Sequence, residues 1–273
     1  MKTYPIEDVI KKYLPRCKFG ITTLKYLICN IHDQRVCNFN RIKFLTEDKI
    51  KALDECFNTF DNVGMTTVMF GYQEFWGDIY HYSPVVFTPK LTTETLVKQV
   101  VTKSNINQNS NILDLCTGSG CVAISVTKET GCNADACDLD ENVINIAKDN
   151  CSRLGGNVNF FTMNILEEWK LDKKYDVIVS NPPYWPKKEM DVNKNIVSSS
   201  SSTHFYGGDD GLLFIRTIIN NAPKHLTKDG MLFIEFFEDQ KEDVKKLLQK
   251  DFKDIRFYKD WHHNPKVVAA RLK

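Results

Sequence analysis

No segment of this 273-residue chain approaches the run of roughly 20 apolar residues that a membrane-spanning helix needs, so a membrane partner is not expected. The start, Met1-Lys2-Thr3-Tyr4-Pro5-Ile6-Glu7-Asp8, has neither the apolar stretch of a signal peptide nor an acid-free amphipathic presequence, and a cytoplasmic location is expected. Charge of one sign is also missing. The 36 Lys and Arg residues face 35 Asp and Glu, a formal net charge of +1. Proteins that hold a phosphate backbone usually carry a basic excess, so nucleic acid is not favoured as a partner. The nine cysteines form no CxxC pair and no Cys/His cluster at zinc spacing. Reduced, mostly buried thiols are the expectation, and no metal site is. No internal repeat is present.

What is there is ordinary for a soluble globular protein, with 42% hydrophobic and 26% charged residues. The length suits one large α/β domain and a smaller one. Up to about Phe60 the pattern is helical. Ile6, Val9, Ile10 and Tyr13 recur at helix spacing, and Thr46-Glu47-Asp48-Lys49 reads as a capped start before Ile50, Leu53 and Phe57. From Val68 to Phe87 aromatic and β-branched residues, punctuated by Gly71, Gly77 and Pro84, suggest a short linking hairpin.

After a helix expected over Thr93–Val101, strands and helices alternate. The strand candidates are Asn111–Leu115, Asn133–Cys137, Asn159–Met163, Tyr175–Ser180, Met231–Phe236, Asp254–Tyr258 and Val267–Leu272. Helices are expected at Cys121–Lys128, Asn142–Leu154, Leu212–His225 and Gln240–Lys250. Alternation at this spacing means βαβ units and a doubly wound, mainly parallel, Rossmann-like α/β sheet. The low-complexity run Ser198–Ser202 reads as a surface loop, or as a lid over a substrate.

Two strand ends carry chemistry. Asp114-Leu115-Cys116-Thr117-Gly118-Ser119-Gly120 stands where the first strand meets its helix, and glycines there let a ligand approach the helix N-terminus. Read from Gly118 the segment also fits GxGxxA, so the loop alone does not separate NAD from other adenosine cofactors. Asp138 follows about twenty residues on, at the end of the second strand candidate. It suits a ribose, although it could instead cap the next helix, with Asp140 competing for that job. No His occupies a comparable strand end, and His262-His263 read as surface residues.

The fourth strand runs into Asn181-Pro182-Pro183-Tyr184. An Asn offers an acceptor and a donor, two prolines withdraw backbone donors, and Tyr184 supplies a flat face. These parts suit a planar, NH-bearing group such as an amide or a nucleobase amine. The competing reading is a turn that merely ends a strand.

The combination of Asp114–Gly120, Asp138 and Asn181-Pro-Pro-Tyr184 resembles class I S-adenosylmethionine-dependent methyltransferases acting on amino or amide nitrogen. Gly71-Tyr72-Gln73-Glu74-Phe75-Trp76-Gly77, Pro89-Lys90-Leu91-Thr92-Thr93-Glu94 and Gly207-Gly208-Asp209-Asp210-Gly211-Leu212 narrow the resemblance to the HemK-type protein glutamine methyltransferases. It covers nearly the whole chain. It implies a helical substrate-orienting domain over residues 1–66, a hairpin linker over 67–90 and a methyltransferase domain over 91–273.

The resemblance further implies N5-methylation of a glutamine in the Gly-Gly-Gln loop of a translation release factor. Asn181, Pro182, Pro183 and Tyr184 would hold the amide. Asp114, Cys116, Thr117, Gly118, Ser119, Gly120, Asp138, Asn164 and Asn181 would hold S-adenosylmethionine. A sister branch methylating a ribosomal protein often carries the Cys seen at position 116. Lys90 stands where the family usually has Arg. Asn164-Ile165 replace an acidic residue and an aromatic, and a Glu-Pro pair is replaced around Ser200-Ser201. The alternatives are a ribosomal-protein glutamine methyltransferase, a nucleic-acid amino methyltransferase reaching an extruded base, and a catalytically silent scaffold.

Overall fold

The computed structural model describes residues 2–17, 20–32, 36–63, 72–82, 86–193 and 204–273. Gly71, the serine run Ser198–Ser202 and the Ser200-Ser201 departure lie outside the described residues.

The N-terminal part is helical, as its spacing predicts. Helices span Ile6–Tyr13, Gly20–Ile31 and Glu47–Val63, and two short strands, β1 (Thr3–Pro5) and β2 (Phe44–Thr46), pair antiparallel beside them. The periodic residues Val9, Tyr13, Leu53 and Phe57 share one buried cluster with Leu24, Ile28 and Leu45. Tyr13 stacks on Phe57 and gives its hydroxyl proton to Asp54 at 2.7 Å, so its polar end is satisfied inside the cluster.

The linking hairpin is β3 (Tyr72–Phe75) and β4 (Asp78–His81). Its two-residue turn, Trp76-Gly77, has positive φ at both positions (50° and 78°), the geometry that matches the twist of paired strands.

The remaining strands are β5 (Asn111–Leu115), β6 (Asn133–Asp138), β7 (Val158–Thr162), β8 (Tyr175–Ser180), β9 (Leu226–Glu235), β10 (Phe252–Lys259) and β11 (Pro265–Leu272). They form one seven-stranded sheet in the order β10-β11-β9-β8-β5-β6-β7, parallel from β7 to β9 and antiparallel at β11. Every strand candidate is present. β7 starts one residue early, and β9 reaches back to Leu226 because Tyr175 pairs with it before the register shifts. Lys228 and Asp229 are exposed and Gly230 has no side chain, so this stretch carries no strand signal, which is why that extension is not legible.

Alternate residues on each strand enter opposite cores, as strand geometry requires. Ile112, Val177, Val179, Phe233, Val267 and Ala269 pack with helices Glu94–Lys103, Cys121–Thr130 and Glu141–Leu154. Leu113, Leu115, Ile178, Leu232, Ile234 and Val268 pack with helices Leu213–His225 and Lys241–Leu248. Both sheet faces are thus covered, and the chemistry is confined to the strand ends. β5 is the switch point, with β6 on one side of it and β8 on the other. A crevice opens there outside the carboxyl ends, where open α/β sheets bind ligands.

Candidate active site

The glycine loop is fixed from both sides by carboxylates. Asp114, buried at the end of β5, accepts from the Thr117 hydroxyl at 2.7 Å and the Ala123 amide at 3.2 Å with the same oxygen. Burial pushes its carboxyl up to about 7. Asp138, at the end of β6, accepts from the Gly118 amide at 2.9 Å and the Leu139 amide at 2.8 Å, one per oxygen. The capping alternative for Asp138 is settled by Asp140, whose side chain takes the Asn142 amide and caps the following helix. Asp138 is left with lone pairs to offer at the crevice. Cys116 bends the chain at φ 57°, and its thiol is raised well above the usual range by burial.

The loop is also tied to the hairpin. Buried Asn150 donates to the Ser119 carbonyl at 2.9 Å and the His81 carbonyl at 2.8 Å, while its oxygen accepts from the His81 amide at 2.7 Å and from Arg153 at 2.7 Å. Glu94 accepts from the Trp76 amide in the hairpin turn at 2.7 Å. The two pieces of the linker signature therefore touch each other.

At the end of β8, Asn181 donates its amide to the Thr93 hydroxyl at 3.1 Å, which leaves its carbonyl oxygen as the group offered to the crevice. No donor among the described residues reaches the Pro182 carbonyl. The Tyr184 hydroxyl donates to Glu235 at 3.0 Å and accepts from Lys266 at 2.9 Å, and the Lys266 ammonium lies 4.5 Å from the Tyr184 ring centroid. One face of the ring is therefore taken by Lys266. Glu235 is fully buried and Lys266 nearly so, 3.7 Å apart. Burial raises the Glu235 carboxyl, opposed by Lys266 and by the Thr93 and Tyr184 hydroxyls. Sequence reasoning missed Glu235 and Lys266. Each sits in a plain apolar strand, and only the odd charge inside such a run marks it.

The Gly207–Leu212 segment lies against this strand end. The Gly207 amide donates to the Trp185 carbonyl at 2.9 Å, and Gln240 donates to the Tyr184 carbonyl at 2.8 Å. A Cβ on Gly207 would stand 2.6 Å from the Gly211 carbonyl oxygen and 2.8 Å from that of Pro183, and one on Gly211 would overlap the Tyr184 carbonyl. Glycine is needed at both for the backbones to meet.

One cavity of about 1190 Å³ contains both ends, lined by the glycine loop, Asp138, Asn164 and Asn181–Trp185, with Phe87, Lys90 and Phe205. All the candidate residues line it or, like Gly120, adjoin its wall. Gly120 turns the chain into helix Cys121–Thr130. Asn164 is partly committed: its oxygen accepts from the Leu166 amide at 3.1 Å and its amide donates to Glu167 at 2.8 Å, closing a turn. Lys90 lies 5.4 Å from the Phe87 ring, and burial lowers its ammonium. The exposed His262 and His263 stand outside the cavity.

The cavity fits S-adenosylmethionine. A Cβ on Gly118 would meet nothing within 4 Å, so the loop leaves a cradle at the helix N-terminus. Asp138 offers acceptors for vicinal hydroxyls, and the exposed Leu139 and Leu166 with Ile165 offer an apolar slot for a base.

Comparisons agree with this geometry. The model of the methyltransferase small domain matches residues 86–209. A release factor glutamine methyltransferase of Bacillus cereus is 30% identical over 214 residues, 76% of each chain. One of Buchnera aphidicola is 32% identical over 232 residues, covering 83% of this chain and 82% of that one. A solved methyltransferase of Pyrococcus furiosus shares the fold, with a TM-score of 0.55 at 16% identity over 83% of this chain and 98% of that one. Identity at this level, across most of both chains, places the protein in the release factor glutamine methyltransferase family.

Proposed function

We propose that this protein methylates the N5 side-chain amide of the glutamine in the Gly-Gly-Gln loop of a release factor, in the cytoplasm. The observation that carries the reading is the hydrogen bond from the Asn181 amide to Thr93, which leaves the Asn181 oxygen with no partner among the described residues on a side chain that lines the cavity. When bound, S-adenosylmethionine supplies an electrophilic methyl group. The chain's own task is to hold a poor nucleophile. A carboxamide nitrogen has a delocalised lone pair and two N–H bonds. Asn181 Oδ1 and the Pro182 carbonyl accept those N–H bonds, orient the nitrogen and stabilise the positive charge that grows on it. The methylated nitrogen then releases one proton to solvent. Tyr184 packs its free face on the amide plane, and Phe87, Trp185 and Phe205 form an aromatic wall beside it; the Phe205 ring lies 5.4 Å from that of Phe87 and 4.8 Å from that of Trp185, centroid to centroid.

The cofactor rests on the loop Asp114–Gly120, with Asp138 on the ribose and Asn164 near the base. Asp114 acts through the loop, since its accepting oxygen is spent inside it. Residues 1–66 orient the substrate protein, 67–90 link, and 91–273 carry out transfer.

The test is Asn181→Ala, with tritiated methyl transfer offered to a release factor, a ribosomal protein and nucleic acid side by side. Transfer to the release factor should be abolished while S-adenosylmethionine binding stays within a few-fold. A near wild-type rate in the variant, or preferential labelling of another arm by the wild type, would sink the reading.

A further inference from the structure

A buried ion pair stands behind the aromatic end of the amide-holding motif, and the reading above gives it no part. Glu235, the last residue of β9, is fully buried, and Lys266 on β11 is mostly so, 3.7 Å from it. The second oxygen of Glu235 meets no donor among the described residues. Its charge is therefore matched at Oε1 alone, by the Tyr184 hydroxyl at 3.0 Å and by Lys266. A buried pair of this kind adds little net stability, because desolvation offsets the attraction. What it fixes here is a direction.

The proton count sets that direction. An ammonium has no lone pair, so Lys266 can only donate to the Tyr184 hydroxyl, 2.9 Å away. The hydroxyl has one proton and gives it to Glu235. The same ammonium stands over the ring, 4.5 Å from its centroid and within cation–π range. At the other end of the residue, the Tyr184 carbonyl accepts from Gln240 at 2.8 Å. Tyr184 is thus held at its backbone, at its hydroxyl and on one face. The remaining face is the one that can meet a ligand in the cavity, which Tyr184 and Lys266 both line.

We propose that Lys266 is a positioning residue for methyl transfer: by gripping the hydroxyl and covering one face of Tyr184, it sets the tilt at which the opposite face meets the substrate carboxamide. This rests on the function proposed above and deepens it. The platform is specified from β11, two strands away from β8 and 82 residues on in sequence. Tilt matters because the amide nitrogen must lie in line with the methyl group, and a displacement of about 1 Å can cost roughly 10²-fold in rate. A residue that only filled space would not depend on its charge. Lys266 does, since the ring contact needs a cation and the hydroxyl needs a donor.

Two measurements test it. The first is kinetic. Lys266→Met keeps the stem and removes the ammonium. It should lower kcat by about tenfold or more, while KM for the release factor and the affinity for S-adenosylmethionine stay within about threefold. Lys266→Arg supplies a donor and a cation again and should recover most of the rate. In a Tyr184→Phe background, which lacks the hydroxyl, Lys266→Met should cost about threefold at most. The second measurement needs no substrate. The Cζ carbon signal of Tyr184, identified as the one lost in Tyr184→Phe, reports the hydrogen bonds of its hydroxyl. It should shift in Lys266→Met and return in Lys266→Arg. Lys266→Met at wild-type kcat, an equal cost with and without the hydroxyl, or an unmoved Cζ signal overturns the proposal. Should Lys266→Met fail to fold because Glu235 is left unmatched, Lys266→Met with Glu235→Gln removes both charges and takes its place, with the same outcomes expected. A wild type that leaves the release factor unmethylated overturns the function proposed above, and the Cζ signal then decides alone whether Lys266 holds Tyr184.

Discussion

The two ends of the cavity hold their ligands' partners by different means. At the glycine loop, side chains grip backbone: Asp138 takes the Gly118 and Leu139 amides, Asp114 takes the Ala123 amide, and Asn150 takes the Ser119 carbonyl. At the end of β8, side chains grip side chains in two groups, Asn181 with Thr93, and Tyr184 with Glu235 and Lys266. A backbone-built site tolerates a change of side chain where only the bend matters, as at Cys116 with φ 57°. A site built from side chains offers no such freedom, since each hydroxyl and amide must keep its direction.

The comparison can be broken first at the seam between loop and hairpin. Asn150→Ala would strand the Ser119 and His81 carbonyls and the His81 amide inside the protein, and should cost about 4 kcal/mol of stability at about 1 kcal/mol per bond, read from denaturant unfolding. Next is the contact that shapes the other end. Gly207→Ala places a methyl group 2.6 Å from a carbonyl oxygen and should cost roughly 3 kcal/mol, with kcat lowered and S-adenosylmethionine binding nearly unchanged. The converse split is expected of Asp138→Ala, which removes the proposed ribose acceptor and frees the Gly118 and Leu139 amides of the loop, and should weaken S-adenosylmethionine binding by about 10²-fold in calorimetric titration.

The last test concerns pH. The Asp114 carboxyl is raised by burial from 3.8 to about 7 in the folded protein, so the folded state keeps a proton that the unfolded chain has released. Ionising it costs stability: the cost is absent below 3.8, grows as pH rises toward about 7, and is complete above that. Asp114→Asn retains an acceptor oxygen for Thr117 and Ala123. It should change stability below pH 3.8 by under about 1 kcal/mol while flattening the fall in Tm between pH 5 and 8.

The same contrast explains what the sequence made legible. The glycine loop and its helix are contiguous from Asp114 to Thr130, and local chemistry writes local structure there. Asn181-Pro-Pro-Tyr184 is visible as a polar break after an apolar strand. Its supports are not, because Thr93, Glu235 and Lys266 stand 88, 51 and 82 residues from the groups they hold. Asn150 is hidden for the same reason, 69 residues from His81 inside an ordinary helix. The sheet was legible because apolar runs of strand length alternate with helical ones. Its order was not: that depends on which edge each crossover takes, and the residues of β11 say nothing of lying between β9 and β10.

That placement of β11 sets the order in which the molecule can be assembled. During synthesis β9 and β10 leave the ribosome before the strand that must separate them, so they cannot adopt their final spacing until β11 arrives and pairs with both. Lys266 travels on β11, and with it comes the cation that neutralises Glu235 beneath Tyr184. The residues of the β5–β6 crevice, from Asp114 to Asp138, all precede β9, β10 and β11 in the chain. The amide-holding end is therefore incomplete until β11 has paired, because Lys266 rides on that strand.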